Sequence, residues 1–210
     1  LKILFQRAKQ YESTSFKDAL VHIQKIREDR NLRMIELFQK DGIDVTMEKL
    51  QAGNPHSVIT RAHFARVLLE EGVCRTKDQA FRKYIGVGCP YYLPRTVITP
   101  EYAFSLITEA GGMPFVAHPL LYKLGYTQIE ALLSDFIPRG LEGLEVYHSS
   151  NNWYESDKLR SMALKYNLLT SGGSDFHGAN KPDIELGIGR GGLAIHESLL
   201  NSMKSHYQNQ

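Results

Sequence analysis

The stretch TPEYAFSLITEAGGMPFVAHP, residues 99–119, sets the rhythm of the second half of the chain. Thr99, Pro100 and Glu101 announce a helix. A hydroxyl caps its first turn, a proline stands where a missing N–H costs nothing, and a carboxylate faces the positive end of the helix dipole. Gly111 and Gly112 end it. The short apolar run Met113 to Ala117 then predicts a buried strand, with His118 and Pro119 at its exit.

The cycle repeats downstream. Thr127 and Glu130 predict a capped helix running to Pro138, and residues 143–147 predict the next strand. Leu159, Met162, Ala163 and Tyr166 mark one face of a further helix, and residues 168–170 form a third short strand. Helices alternating with buried strands imply right-handed crossovers and a parallel sheet, so the fold class is α/β. Three strands cannot close a barrel. A barrel built on them would need strands beyond this chain.

Upstream the rhythm is helical. Leu20, Ile23, Ile26, Ile35 and Phe38 recur at roughly helical spacing up to Gly42, a second helix is announced by Thr60, and a third by Thr76 with Gln79. No strand is expected there. Residues 1–97 therefore read as a helical subdomain with a Gly-, Pro- and Tyr-rich connecting loop, and residues 98–210 as the β/α part. The basic residues Lys25, Arg27, Arg30, Arg33 and Lys40 are expected to form a solvated helix face.

Composition narrows the function classes. A net charge of +2 over 210 residues does not mark a general nucleic-acid binder, and the sequence carries no DNA-binding motif. No apolar run is long enough to cross a bilayer. Two cysteines, Cys74 and Cys89, make neither a disulfide framework nor a zinc ribbon, which fits a reducing cytoplasm. Leu1 is not an initiator methionine, so a cut or an expression boundary is expected at that end.

The chemistry gathers at strand exits, where parallel β/α folds place reacting groups. Each of the three predicted strands ends near a histidine: His118, His148 and His177. Asp175 stands two residues before His177, so both can point one way along an extended segment. Carboxylate and imidazole together suit zinc, manganese or iron. The small residues 171–174 let backbone approach an ion or a phosphate closely.

These segments resemble the PHP (polymerase and histidinol phosphatase) family of metal-dependent phosphoesterases. Ala-Gly-Gly-x-x-x-x-Ala-His-Pro (Ala110 to Pro119) is similar to one of its metal-binding segments, and Gly-Gly-Ser-Asp-Phe-His-Gly (172–178) to its last. Gly-Leu-Glu-Val-Tyr-His (143–148) fits the strand between them. The resemblance implies the C-terminal portion of a distorted (β/α) barrel carrying a helical insertion, or lid. It implies His118, Asp175 and His177 as metal ligands and His148 beside the substrate phosphate, protonating the leaving oxygen. The implied cofactor is a cluster of divalent ions, manganese first, with zinc, iron or magnesium as alternatives.

Thr60-Arg61-Ala62-His63-Phe64-Ala65 resembles an insertion segment of one branch, the phosphatases of nucleoside bisphosphates and enzymes that trim RNA from its 5′ end. It implies Arg61 and His63 as phosphate-binding residues and a nucleotide or short RNA as substrate. The family's opening His-x-His pair and the donor segments after it are absent here, so the N-terminal half of the barrel is missing and this chain alone is expected to be inactive. The alternatives are a small-metabolite phosphatase of the histidinol-phosphatase type and a non-catalytic PHP-like binding module.

Overall fold

The computed structural model describes residues 3–6, 14–55, 57–178 and 181–208, with only the backbone described for 3–6, 14 and 15. Two compact units make up the chain: residues 17–97, and residues 1–16 together with 98–210.

The helical unit is built on α1 (Thr14–Lys40), α2 (Met47–Gln51), α3 (Arg61–Glu70) and α4 (Lys77–Ala80). Its core is aromatic and aliphatic: Met34, Phe38, Leu50, Phe64, Val67, Leu68 and Ile85 are fully buried. Tyr91 stacks on Phe38 with ring centroids 4.0 Å apart and donates its hydroxyl to Asp41 Oδ2 at 2.8 Å. Thr76 caps α4 as expected, accepting the Gln79 N–H at 3.1 Å. The helix does not continue as a regular α-helix, because Phe81–Ile85 widens into a π turn. Gly86 closes that turn, and a β-carbon there would stand 2.1 Å from the Phe81 carbonyl oxygen.

The basic face of α1 departs from expectation at one residue. Lys25, Arg27, Arg33 and Lys40 are exposed, but Arg30 is buried, 6% exposed. Its Nε donates to the Leu93 carbonyl at 2.7 Å, so a distant loop draws this guanidinium inward.

The second unit is a four-stranded sheet in the order β1 (Ile3–Gln6), β2 (Met113–Val116), β3 (Gly143–His148), β4 (Leu169–Gly173). The pairs β2–β3 and β3–β4 are parallel, which gives the α/β class. β1 pairs antiparallel with β2, Ile3 opposite Val116 and Gln6 opposite Met113. This strand was not expected, and it moves the start of the chain into the sheet unit. Four residues carry no readable period, and their partner lies more than a hundred positions away. Backbone pairing with the open edge of β2 defines them.

Helices cover both sheet faces. On one, Val116, Leu144 and Val146 pack with Phe104 of α5 (Pro100–Glu109), Ile129 and Leu133 of α6 (Tyr126–Phe136), and Leu159 and Ala163 of α7 (Trp153–Lys165). On the other, Met113 and Phe115 meet Met203 of α8 (Ser198–Gln208). Thr99 caps α5, accepting the Tyr102 N–H. α6 starts two residues earlier than predicted: Gly125 rather than Thr127 is its cap, and Gln128 Oε1 accepts the Gly125 N–H at 2.9 Å. Glu130 instead takes the Lys165 ammonium and the Tyr166 hydroxyl. Among the described residues no helix is long and apolar enough to cross a membrane.

Candidate functional site

Three strand exits of the sheet unit carry the candidate chemistry. After β2 the backbone turns sharply at His118, which takes the left-handed conformation (φ 34°, ψ 58°) just before Pro119. A non-glycine residue holds that conformation only when its surroundings enforce it. The enforcing contact is the His118 N–H donated to Glu145 Oε2 at 2.5 Å. Glu145, on β3, is 4% exposed, and Tyr122 donates its hydroxyl to the Ala117 carbonyl at 2.8 Å while meeting the His118 ring edge-on.

His148 ends β3, fully enclosed. Its Nδ1 accepts the Ser150 N–H at 3.1 Å, so the neutral ring carries its proton on Nε2. Among the described residues that nitrogen makes no hydrogen bond, and it lies 3.7 Å from Asp175 Oδ2. The His118 and His148 ring centroids are 5.8 Å apart. Burial pushes the His148 imidazole below its ordinary value, His118 and Lys181 add to this, and Asp175 opposes it.

After β4 the chain reaches Ser174, whose Oγ accepts the Gly187 N–H at 3.2 Å and whose carbonyl accepts the Ser149 hydroxyl. Asp175 again adopts a left-handed backbone, φ 53°. Its carboxylate is paired with the Lys181 ammonium through Oδ2. His177 Nδ1 lies 2.6 Å from the Asp175 carbonyl oxygen and donates to it, which leaves the lone pair on Nε2 for a ligand. The close packing relies on missing side chains: a β-carbon on Gly172 would stand 2.8 Å from the Tyr147 β-carbon.

The fold thus links His118, His148, Asp175 and His177 by contacts of 3.6–5.8 Å. Among the described residues, no three or more His, Cys, Asp or Glu side chains close on a common point as a complete metal shell would. The donor types nevertheless fit a divalent ion. Oxygen and imidazole nitrogen suit it, the His177 tautomer presents a lone pair, and a cation already sits against the Asp175 carboxylate.

Arg61 and His63 lie in the helical unit, in the first turn of α3. His63 Nδ1 accepts the Thr60 N–H at 3.1 Å, closing the helix cap as a glutamate would and leaving its proton on Nε2. The Arg61 guanidinium lies 5.6 Å from the Phe81 ring centroid and 5.5 Å from that of Tyr92, and Nη1 donates to the Ile85 carbonyl at 3.3 Å.

Two residues of the strand-exit cluster escaped sequence reasoning. Glu145 left a signal, since it is the one charged residue inside an apolar strand, and such a group needs a buried partner. Lys181 left none, because it comes to Asp175 through a turn that no local pattern announces.

No family model matches the chain. Over 134 residues it is 37% identical to the 3′,5′-nucleoside bisphosphate phosphatase of Chromobacterium violaceum, covering 64% of this chain and 47% of that relative. It is 32% identical to the 5′-3′ exoribonuclease Rnm of Escherichia coli over 161 residues, 77% of this chain and 55% of that one. The solved structure of an amidohydrolase from Chromobacterium violaceum, with bound SO4 and no metal, superimposes with a TM-score of 0.68 at 30% identity. That match covers 92% of this chain and 68% of the other. The chain spans about half the length of the curated relatives it matches. With these similarities and the strand-exit residues together, the chain belongs to the PHP family of metal-dependent phosphoesterases.

Proposed function

We propose that the complete protein hydrolyses a phosphate ester of a nucleotide, either a nucleoside bisphosphate or the 5′ end of an RNA. The observation that carries this reading is the strand-exit cluster, with His148 Nε2 and the Asp175 carboxylate 3.7 Å apart and His118 beside them. Relatives named a nucleoside bisphosphate phosphatase and a 5′-3′ exoribonuclease support the substrate class, and the sulfate in the amidohydrolase structure supports affinity for a tetrahedral oxyanion.

In this reading His118, Asp175 and His177 hold divalent metal, manganese first, with zinc, iron or magnesium as substitutes. When bound, the metal supplies positive charge against the phosphoryl oxygens and activates water for attack on phosphorus. Glu145 acts on the backbone of His118 and so orients that ligand. His148, kept uncharged by burial, donates a hydrogen bond from Nε2 to the phosphoryl or leaving oxygen. Arg61 binds a substrate phosphate through its planar fork, and His63 assists with its Nε2–H. In the complete protein further strands and donor residues join this sheet and complete the metal shell. The free thiols of Cys74 and Cys89 support a cytoplasmic setting.

The test is an assay of the complete protein, loaded in turn with Mn²⁺, Zn²⁺, Fe²⁺ and Mg²⁺, against a nucleoside 3′,5′-bisphosphate and a 5′-phosphorylated RNA. Metal-dependent release of phosphate or of mononucleotides is expected. Absence of hydrolysis with every metal on both substrates sinks the proposal.

A further inference from the structure

We infer that Trp153 and Tyr154 form a stacking platform for unpaired nucleobases on the 3′ side of the scissile bond, so that the protein holds a single-stranded RNA rather than a lone nucleotide. This inference rests on the phosphoesterase reading above and adds a binding site made by none of the residues assigned there.

Trp153 is the single tryptophan of the chain and is 81% exposed, and Tyr154 beside it is 55% exposed. Among the described residues the indole meets no other ring and no hydrogen-bond partner. Folding does not require either aromatic at this place. The start of α7 is made by their neighbours: Asn152 Oδ1 accepts the Glu155 N–H at 2.9 Å, and Glu155 Oε2 accepts the Asn152 N–H at 2.7 Å. Leu159 and Ala163 make the packing of α7 against the sheet. Tryptophan is a middling helix former, and an indole left in water gains nothing from burial. Two adjacent exposed aromatics at a firmly capped helix start therefore point to a contact outside the chain.

Their position indicates the partner. α7 follows directly on the strand exit that carries His148: the Asn151 N–H donates to the His148 carbonyl at 2.9 Å, and Asn151 Nδ2 donates to the Val146 carbonyl at 3.0 Å. Trp153 opens the helix two residues later, so its Cα lies within about 14 Å of the His148 Cα. The next few nucleotides of a bound strand cover that span. Tyr126, which opens α6, is in electrostatic reach of Tyr154 and Lys158, so the helices after β2 and β3 meet at this same place. Two cations are at hand. Lys158 Nζ stands 5.3 Å from the Tyr154 ring centroid, and Arg190 Nη1 donates to the Ser149 carbonyl at 3.3 Å while the guanidinium pairs with Asp183. Rings and cations together suit single-stranded nucleic acid, because every base has a π-face and every linkage a negative charge. A flat protein partner suits the helix less well. About three turns along the same face Leu164 is 69% exposed, but the Asp157–Arg160 ion pair at 2.7 Å interrupts the apolar surface between. Hydrolysis from a 5′ end leaves the rest of an RNA on the 3′ side of the scissile bond, where a nucleoside bisphosphate has nothing to stack.

The test assays the complete protein and its Trp153→Ala and Trp153→Phe variants with a 5′-phosphorylated pentaribonucleotide and with a nucleoside 3′,5′-bisphosphate. In Trp153→Ala the ratio of kcat/KM for the pentanucleotide to that for the bisphosphate is expected to fall about tenfold, mainly through KM, and Trp153→Phe is expected to restore most of it. The lone tryptophan supplies a second readout. In the 210-residue chain its emission is expected to be quenched on one saturating curve by the pentanucleotide, and far less by an abasic ribose-phosphate oligomer of the same length and charge. An unchanged ratio overturns the inference and leaves the phosphoesterase reading in place. Equal quenching by the abasic oligomer overturns the stacking even if the ratio falls. Emission that responds to protein concentration and not to RNA gives the two rings to a second copy of the chain instead. Absence of hydrolysis of either substrate by the wild type overturns the phosphoesterase reading, and the emission titration then decides the platform by itself.

Discussion

His148 Nε2 faces Asp175 Oδ2 across 3.7 Å, joining the exit of one parallel strand to the loop after the next. The side chains are 1% and 15% exposed, so the pair sits largely out of water, where a carboxylate attracts a cation strongly. That cation is Lys181 in the chain as it stands, and metal in the proposed holoprotein.

Asp175→Asn keeps the shape of the side chain and removes its charge. In the complete protein, metal content and turnover are each expected to fall by at least about a hundredfold, since even residues that merely orient a metal ligand are worth 10–100-fold. Circular dichroism should remain that of the wild type. Retained activity with full metal content sinks the ligand assignment.

Lys181→Met removes the ammonium that pairs with Asp175. If metal and Lys181 compete for one carboxylate, calorimetric titration with Mn²⁺ should show severalfold tighter binding, with the gap narrowing as salt rises. Weaker binding in the variant contradicts the competition and makes Lys181 a supporting contact instead.

Gly143→Ala tests the packing that positions β3. A β-carbon there would stand 2.1 Å from a ring carbon of Phe115, which is fully buried against α8. Overpacking of this kind costs about 1–3 kcal/mol, and thermal denaturation should show the loss. An unchanged melting temperature means that the Phe115 ring swings aside freely.

Tyr91 gives the helical unit a pH dependence of known sign. Its hydrogen bond to Asp41, followed by burial, raises the phenol above its ordinary value near 10. A raised folded-state value means that this contribution is complete below about pH 10 and is lost as pH climbs through the folded value. Tyr91→Phe should cost about 1 kcal/mol at neutral pH and flatten the alkaline loss, as read from denaturant melts between pH 8 and 11. An equally steep alkaline loss in the variant assigns it to another group.

Local pattern carried much of this protein. The Thr99 cap, the apolar strand 113–116 and the histidines at strand exits could be read from order and spacing alone, because caps, buried strands and strand-end chemistry have short-range rules. From that came the α/β class, the helical unit and the four residues His118, His148, Asp175 and His177. What the rules could not reach depends on partners far away in the chain. β1 exists through pairing with β2 about 110 positions on, Arg30 is buried because Leu93 accepts its Nε–H, and His118 is twisted because Glu145 holds its backbone. Residue type and period are local properties, so the sequence by itself determined which groups stand at each strand exit. Hydrogen bonds between distant segments are properties of the folded chain, so only the tertiary structure decided which way those groups turn and which of them share their charge.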